Sequence, residues 1–331
     1  MRLIHHYLGY ARRLPWRALP GEARSDPYRV WLSEVMLQQT TIAAVTPRFE
    51  RFVARWPTIA NLAAASDADI LAEWAGLGYY ARARNLISCA RAIAARGGFP
   101  STEAGLRALP GIGEYSAAAI AAIAFGRDCV VVDTNVARVV ARLHALEQPS
   151  RAEIRTRVAA MTPPGQAGDF AQAMMDLGAT ICRPRAPDCP ACPLSADCAA
   201  QLSGNPEAFP APKAKKTRPQ RHGIAEWIER DGAVWLVRRP PSGLLGGMPA
   251  LPGGQWTADP PALTAPLATI RHVFTHFALD LSVVRAERPS GDGWWQPLDR
   301  LAEAGLPTLY RRASDQVLAR CAPLEEAPIQ S

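Results

Sequence analysis

Cys182, Cys189, Cys192 and Cys198 follow one another as Cys-x6-Cys-x2-Cys-x5-Cys, and no other feature restricts the fold of this chain as tightly. Four soft thiolates in one short segment can wrap a single metal centre. Pro184, Pro187, Pro190 and Pro193 punctuate the segment, and because proline removes helical hydrogen bonds the loop is expected to be non-helical. Zinc ribbons bring two close cysteine pairs from separate hairpins, whereas this is one compact loop. The spacing therefore favours an iron–sulfur centre, with structural zinc and reduced free thiols open as alternatives.

The chain has 331 residues, enough for one large domain or two. Its charged fraction of 20% and hydrophobic fraction of 48% suit a folded protein with a real core. No apolar run approaches the roughly 18 to 20 residues of a membrane span, and no signal-peptide core follows Met1, so a cytoplasmic setting with reduced thiols is expected. From Tyr28 to about Ala200 the pattern is helical, with an Ala-rich stretch at 116–125 and periodic apolar residues at 42–52. Residues 204–221 read as a basic, Pro-rich, extended linker. After it, β-prone runs at 224–228, 233–238 and 279–284 predict a small α+β domain. The expected division is thus 1–203, linker 204–221, and 222–331.

A net charge of +7 suits a polyanionic partner. Its basic residues are almost all arginine: the only lysines are Lys213, Lys215 and Lys216. No lysine amine is available to chemistry carried out by residues 1–203.

Leu109-Pro110-Gly111-Ile112-Gly113 opens the Ala-rich helix, where backbone N–H groups at a helix start can hold a phosphate; a plain interhelical turn is the other reading. A nucleotide P-loop is excluded, since no Gly-Lys-Ser/Thr follows. Glu34 shares a helix face with Val30, Trp31 and Gln38, and a carboxyl held there is desolvated and suited to general acid work, unless it is an exposed Glu on an amphipathic helix. Asp133 precedes a helix at 136–143 and could serve as its N-cap, which favours the ionised carboxylate. One protonated and one ionised carboxyl suit cleavage of a glycosidic bond through a cationic sugar.

These features, in this order, resemble the adenine DNA glycosylase (MutY) branch of the helix-hairpin-helix base-excision superfamily from about Leu14 to Arg320. The likeness is carried by 31–40 (Trp-Leu-Ser-Glu-Val-Met-Leu-Gln-Gln-Thr), 76–82, 109–113, 132–135, 172–178 and the Cys loop. It implies a mainly α helix-hairpin-helix glycosylase domain with an iron–sulfur loop, and a smaller α+β Nudix-like C-terminal domain. It further implies removal of adenine mispaired with 8-oxoguanine, or with guanine, from duplex DNA by flipping the base out. Glu34 would protonate adenine N7, Asp133 would stabilise the oxocarbenium ion, and Tyr115 and Asn135 would line the pocket. Gln39, Thr40 and Tyr79 would probe the lesion, with Leu109, Gly111, Gly113, Arg183 and Arg185 on the DNA backbone. Cys182, Cys189, Cys192 and Cys198 would hold a [4Fe–4S] cluster, and the chain is expected to act as a monomer. Tyr115 stands where the endonuclease III branch has its Schiff-base lysine, so a base-releasing enzyme without strand cutting is expected.

The C-terminal part resembles the family's recognition domain through 238–247 and 271–277. Nudix hydrolysis needs an acid-rich, magnesium-holding helix, and 256–271 contain one acid, Asp259, so this domain is expected to bind without hydrolysing. Phe274, Thr275 and His276 would read the lesion, with Thr275 in place of the family's usual serine. The competing readings are another glycosylase of the superfamily or an endonuclease III homologue, a non-catalytic iron–sulfur DNA sensor, and a nucleotide-pool hydrolase. The recognition domain with Tyr115, the two carboxyls, and the missing acid cluster argue against them in turn.

Overall fold

The computed structural model describes residues 2–212, 217–240, 243–263 and 265–321. Contacts divide the chain into one unit of 1–73 with 82–214 and another of 74–81 with 215–331. Up to Leu202 the secondary structure is helical: α1 (Arg2–Tyr10), α2 (Pro27–Leu37), α3 (Ile42–Arg55), α4 (Ile59–Ala64), α5 (Asp67–Trp74), α6 (Tyr80–Ala95), α7 (Glu103–Arg107), α8 (Glu114–Phe125), α9 (Thr134–Leu143), α10 (Arg151–Met161), α11 (Ala167–Thr180) and α12 (Ala199–Leu202). Helix begins earlier than the expected Tyr28. Only Leu3 and Tyr7 of α1 are buried, an i,i+4 pair rather than a sustained stripe, and α1 packs on α11.

The central helix is α8, where Ser116–Ala122 and Ala124 are buried on every side, as in a helix enclosed by others. Alanine side chains let α2, α7 and α11 approach closely. At Gly168 of α11 an added Cβ would stand 2.6 Å from the Ala122 carbonyl oxygen. α2 is likewise buried from Val30 to Met36; Pro27 occupies its first turn, and the Asp26 carboxylate accepts from the Tyr28 amide at 2.8 Å.

The 109–113 turn joins α7 to α8 as a helical hairpin, with Leu109 and Ile112 buried. Gly111 needs to be glycine twice over: its φ is +73°, and a Cβ would meet Asn85 Cβ at 2.6 Å. Beyond α12, Pro206–Ala208 form a 3₁₀ turn and the Ala211 amide donates to the Glu147 carbonyl at 2.7 Å. Lys213, Lys215 and Lys216 lie outside the described residues.

Among the described residues the second unit holds seven strands: β1 (Gln220–Trp227), β2 (Glu229–Arg230), β3 (Ala233–Arg238), β4 (Pro249–Ala250), β5 (Ala268–Val273), β6 (Ala278–Arg285) and β7 (Gly293–Pro297), followed by α13 (Thr308–Cys321). β1 pairs parallel with β6 and β6 antiparallel with β5; β3 pairs antiparallel with β2, β4 and β7. Alternate residues of β1, β3, β5 and β6 enter one core with Leu309, Tyr310, Ala313 and Val317 of α13. Among the described residues, no helix lies between β4 and β5.

Candidate active site

Glu34 and Asp133 line one cavity of about 1850 Å³, together with Tyr115, Asn135, Arg17 and Gln172. Glu34 comes from α2 and is 9% exposed. Burial pushes its carboxyl from 4.5 up to about 7; a hydrogen bond with the Tyr115 side chain pulls it down, Asp133 pushes it up and Arg17 pulls it down. Tyr115, the second residue of α8, is itself held protonated, first by burial and then by the nearby carboxylates. The expected desolvated carboxyl is therefore present, and the alternative of an exposed Glu is not what the fold produces.

Asp133 caps α9: one carboxylate oxygen accepts from the Val136 amide at 2.6 Å and the other from Asn135 Nδ2 at 2.9 Å. Both oxygens are thus oriented before any substrate arrives. Arg138 extends the chain of bonds, donating to Asn135 Oδ1 at 2.9 Å, to the Gly178 carbonyl at 2.6 Å and to the Cys182 carbonyl at 3.0 Å.

Several site residues escaped sequence reasoning. Arg12 and Arg17 converge on Asp176, at 2.6 and 2.8 Å, in an ion pair that is 8% exposed at Arg17 and at Asp176. Gln172 and Asp176 are buried polar residues four apart on an otherwise apolar face of α11, and that spacing was the available signal. Arg12 and Arg17 lie in an irregular segment with no periodicity to betray them. Arg82 donates to the Val35 and Met36 carbonyls at 3.0 Å and to Thr40 Oγ1 at 3.1 Å, closing the C-terminus of α2.

Among the expected DNA contacts, Gln39 and Thr40 line the cavity rim, and Gln39 is exposed with φ +56°. Tyr79 is 49% exposed with φ +48°. A left-handed backbone at a non-glycine residue stores strain, a recurrent feature of binding sites. Gly113 caps α8 without a side-chain bond, so the first amides of that helix meet no side-chain cap. Arg183 and Arg185 are exposed on the Cys loop.

The loop is not wholly irregular: a 3₁₀ turn, Ser195–Asp197, sits between Cys192 and Cys198, where the prolines have ended. Its four cysteines stand close enough to interact. Burial pushes the Cys192 thiol up, a backbone bond at Leu194 pulls it down, and Cys182, Cys198 and Cys189 push it up again. Among the described residues no three metal-ligating side chains close around a single ion. Four thiols within interacting distance of one another are a donor set of the kind that can hold an iron–sulfur cluster.

In the second unit Phe274, Thr275 and His276 form the turn between β5 and β6, closed by the Phe274 amide donating to the Phe277 carbonyl at 2.9 Å. Thr275 and His276 are exposed at its tip. Phe274 stacks on Trp256, with centroids 5.5 Å apart, and Arg239 lies 5.1 Å from the Trp256 ring centroid. The Tyr79 hydroxyl, within this same unit, stands 3.1 Å from Thr275 Oγ1. Pro241 and Ser242 of the 238–247 motif lie outside the described residues.

Residues 32–164 match the HhH-GPD superfamily base excision DNA repair protein family, and 224–316 match the NUDIX domain. The adenine DNA glycosylase of Mycolicibacterium smegmatis is 40% identical over 246 residues, covering 72% of this chain and 82% of that relative. That of Homo sapiens is 35% identical over 311 residues, covering 77% and 57%. That of Arabidopsis thaliana is 36% identical over 291 residues, covering 75% and 46%. The chain thus spans about half the length of these last two relatives. A thermostable thymine-DNA glycosylase superposes with TM-score 0.55 at 26% identity, over 61% of this chain and 94% of that one. A trapped endonuclease III–DNA covalent intermediate gives TM-score 0.52 at 23% identity, over 61% and 93%, a likeness of fold alone. The solved structures share the helical fold while the curated relatives share the sequence as well, and by that sequence this chain belongs to the adenine DNA glycosylase family.

Proposed function

We propose that this protein is a monofunctional adenine DNA glycosylase, acting as a cytoplasmic, nucleoid-associated monomer on duplex DNA to release adenine opposite 8-oxoguanine or guanine. The observation that carries the reading is Glu34, a carboxyl poised near 7 in the same cavity as a capped, oriented Asp133. Adenine is a poor leaving group as an anion. Glu34 donates its proton to N7, the C1′–N9 bonding pair goes to the base, and positive charge develops on the sugar. The Asp133 carboxylate stabilises that cation until water adds at C1′ and gives its proton to the Glu34 carboxylate, leaving an abasic site, neutral adenine and Glu34 protonated again. Tyr115 keeps Glu34 aligned, and the absence of any lysine before Lys213 supports release without a Schiff base.

The domain division at 1–203, 204–221 and 222–331 belongs to the same reading: the first part cleaves, the last recognises the lesion through Phe274, Thr275 and His276. The exposure of Thr275 and His276 on a tight turn, beside a Phe274 stacked on Trp256, supports that role. Gln39, Thr40, Tyr79, Leu109, Gly111, Gly113, Arg183 and Arg185 meet the DNA. Cys182, Cys189, Cys192 and Cys198 hold a [4Fe–4S] cluster, whose contribution is to tie the loop that presents Arg183 and Arg185.

The test is base release from duplexes carrying adenine opposite 8-oxoguanine, guanine, cytosine and thymine, developed with and without alkali. Release is expected opposite 8-oxoguanine and guanine, with a strand break only after alkali. Release of thymine or uracil instead of adenine, or no release at all, would sink the reading.

A further inference from the structure

Arg142, on the last turn of α9, is 2% exposed. Its guanidinium donates to four acceptors: Nε to the Phe209 carbonyl at 3.0 Å, Nη1 to the Arg183 carbonyl at 2.6 Å and to Cys182 Sγ at 3.4 Å, and Nη2 to the Pro184 carbonyl at 2.9 Å. The Cys198 thiol in turn donates to the carbonyl of Arg142 at 3.5 Å. Among the described residues no carboxylate pairs with this cation, unlike the buried Arg17, which has Asp176. Carbonyl dipoles satisfy the donors but leave the charge. A desolvated cation without a counter-charge costs several kcal/mol, so a fold that keeps one carries the opposite charge nearby. The group at hand is the ring of four sulfurs, which becomes anionic when the cysteines ligate metal as thiolates.

The same fork reaches beyond the loop. Phe209, whose carbonyl takes the Nε bond, leads into Pro210, Ala211 and Pro212, which line the cavity holding Glu34 and Asp133. The Ala211 amide is pinned to the Glu147 carbonyl. Asp133 caps one end of α9 and Arg142 sits at the other, roughly 13 Å away along a single helix.

We propose that Arg142 is the buried counter-charge of the metal centre in the Cys loop and, through the same guanidinium, the clamp on the 209–212 wall of the catalytic cavity, so that filling the loop and closing that wall are one event. Emptied of metal, the loop loses its negative charge, the guanidinium is left buried without compensation, and its move toward water releases the Phe209 carbonyl. Arg142 is a positioning residue here. It touches neither substrate nor Asp133, and the inference rests on the cluster reading given above.

The experiment uses the full chain, purified anaerobically, with iron stripped by a chelator while deuterium uptake is followed by mass spectrometry. The peptide covering 206–212 is expected to stay protected while iron is bound and to exchange as iron leaves. Arg142→Gln should hold iron about 10- to 100-fold more weakly against the chelator, the usual effect of removing an outer-shell partner. Arg142→Lys, which keeps the charge without the fork, should fall between. Iron retention in Arg142→Gln equal to wild type overturns the proposal, and so does a 206–212 peptide indifferent to iron in the wild-type chain. That second arm needs no variant and decides the matter if Arg142→Gln does not fold. Wild-type protein that binds no iron overturns the cluster reading, and this inference with it; bound iron that ignores Arg142 overturns this inference alone.

Discussion

At the scale of one residue the proposed acid is Glu34, and its environment has two measurable consequences. Its protonated fraction falls as pH rises through about 7, so the single-turnover rate of base release should decline above that pH. Glu34→Gln should lower that rate by about 10²- to 10⁴-fold while leaving binding of the mispair in place. The stability effect runs the other way. A carboxyl raised from 4.5 to about 7 takes up a proton on folding between those values, so the native state loses stability as pH climbs through that window. An amide has no such dependence. Glu34→Gln should therefore be the more stable protein at pH 8, by up to roughly 3 kcal/mol, and no more stable than wild type at pH 4. Thermal denaturation at the two pH values checks the sign. Apolar helix neighbours made a buried Glu34 one of two readings, and the family resemblance singled it out as the candidate acid; Arg17, which modulates it, was not legible, because no local pattern marks a loop arginine that finds its partner on α11.

At the scale of elements, the contact between α9 and α11 sets where Asp133 stands. Gly178 permits it: a Cβ there would lie 2.7 Å from Asn135 Cβ and 3.2 Å from the Asn135 backbone. Gly178→Ala should push the start of α9 away, disturb the Asn135–Asp133 bond and destabilise the protein by about 1 to 3 kcal/mol. Base release should fall more than this loss of folded protein explains, and single-turnover kinetics on the folded fraction would separate the two. A variant with normal release would show that α9 adjusts without moving Asp133. The helices themselves were readable from alanine content and periodicity. Their closest approach was not, since Gly168 and Gly178 carry no signal until a partner backbone is placed against them.

For the whole molecule, the proposed division of labour rests on where residues fall along the chain. Borohydride should trap no covalent protein–DNA adduct through a side chain of residues 1–203, because no lysine stands there. The loss of residues after Pro212 should leave adenine release intact but reduce the preference for 8-oxoguanine over guanine by about 5- to 150-fold, the worth of one or two good hydrogen bonds. Thr275→Ala and His276→Ala in the full chain should each lower the same ratio. Ending the chain at Ser203 is a different experiment, for it also deletes the cavity wall at 210–212 and the Phe209 acceptor of Arg142. That shorter protein should release adenine more slowly than the one ending at Pro212. Equal ratios in the full chain and a well-folded protein ending at Pro212 would return lesion recognition to the N-terminal part.

What the sequence by itself determined is the chemistry that depends on composition and near-neighbour spacing: the thiol loop, the hairpin turn, the missing lysine and the two carboxyls in helical contexts. Each is local, so it survives without knowledge of partners. The tertiary structure alone decided that Glu34 and Asp133 share a cavity, that Asp176 receives two arginines, and that Arg142 joins the Cys loop to residues near 209. Those contacts join residues remote in sequence, and their energies depend on burial and distance, which exist only once helices have packed.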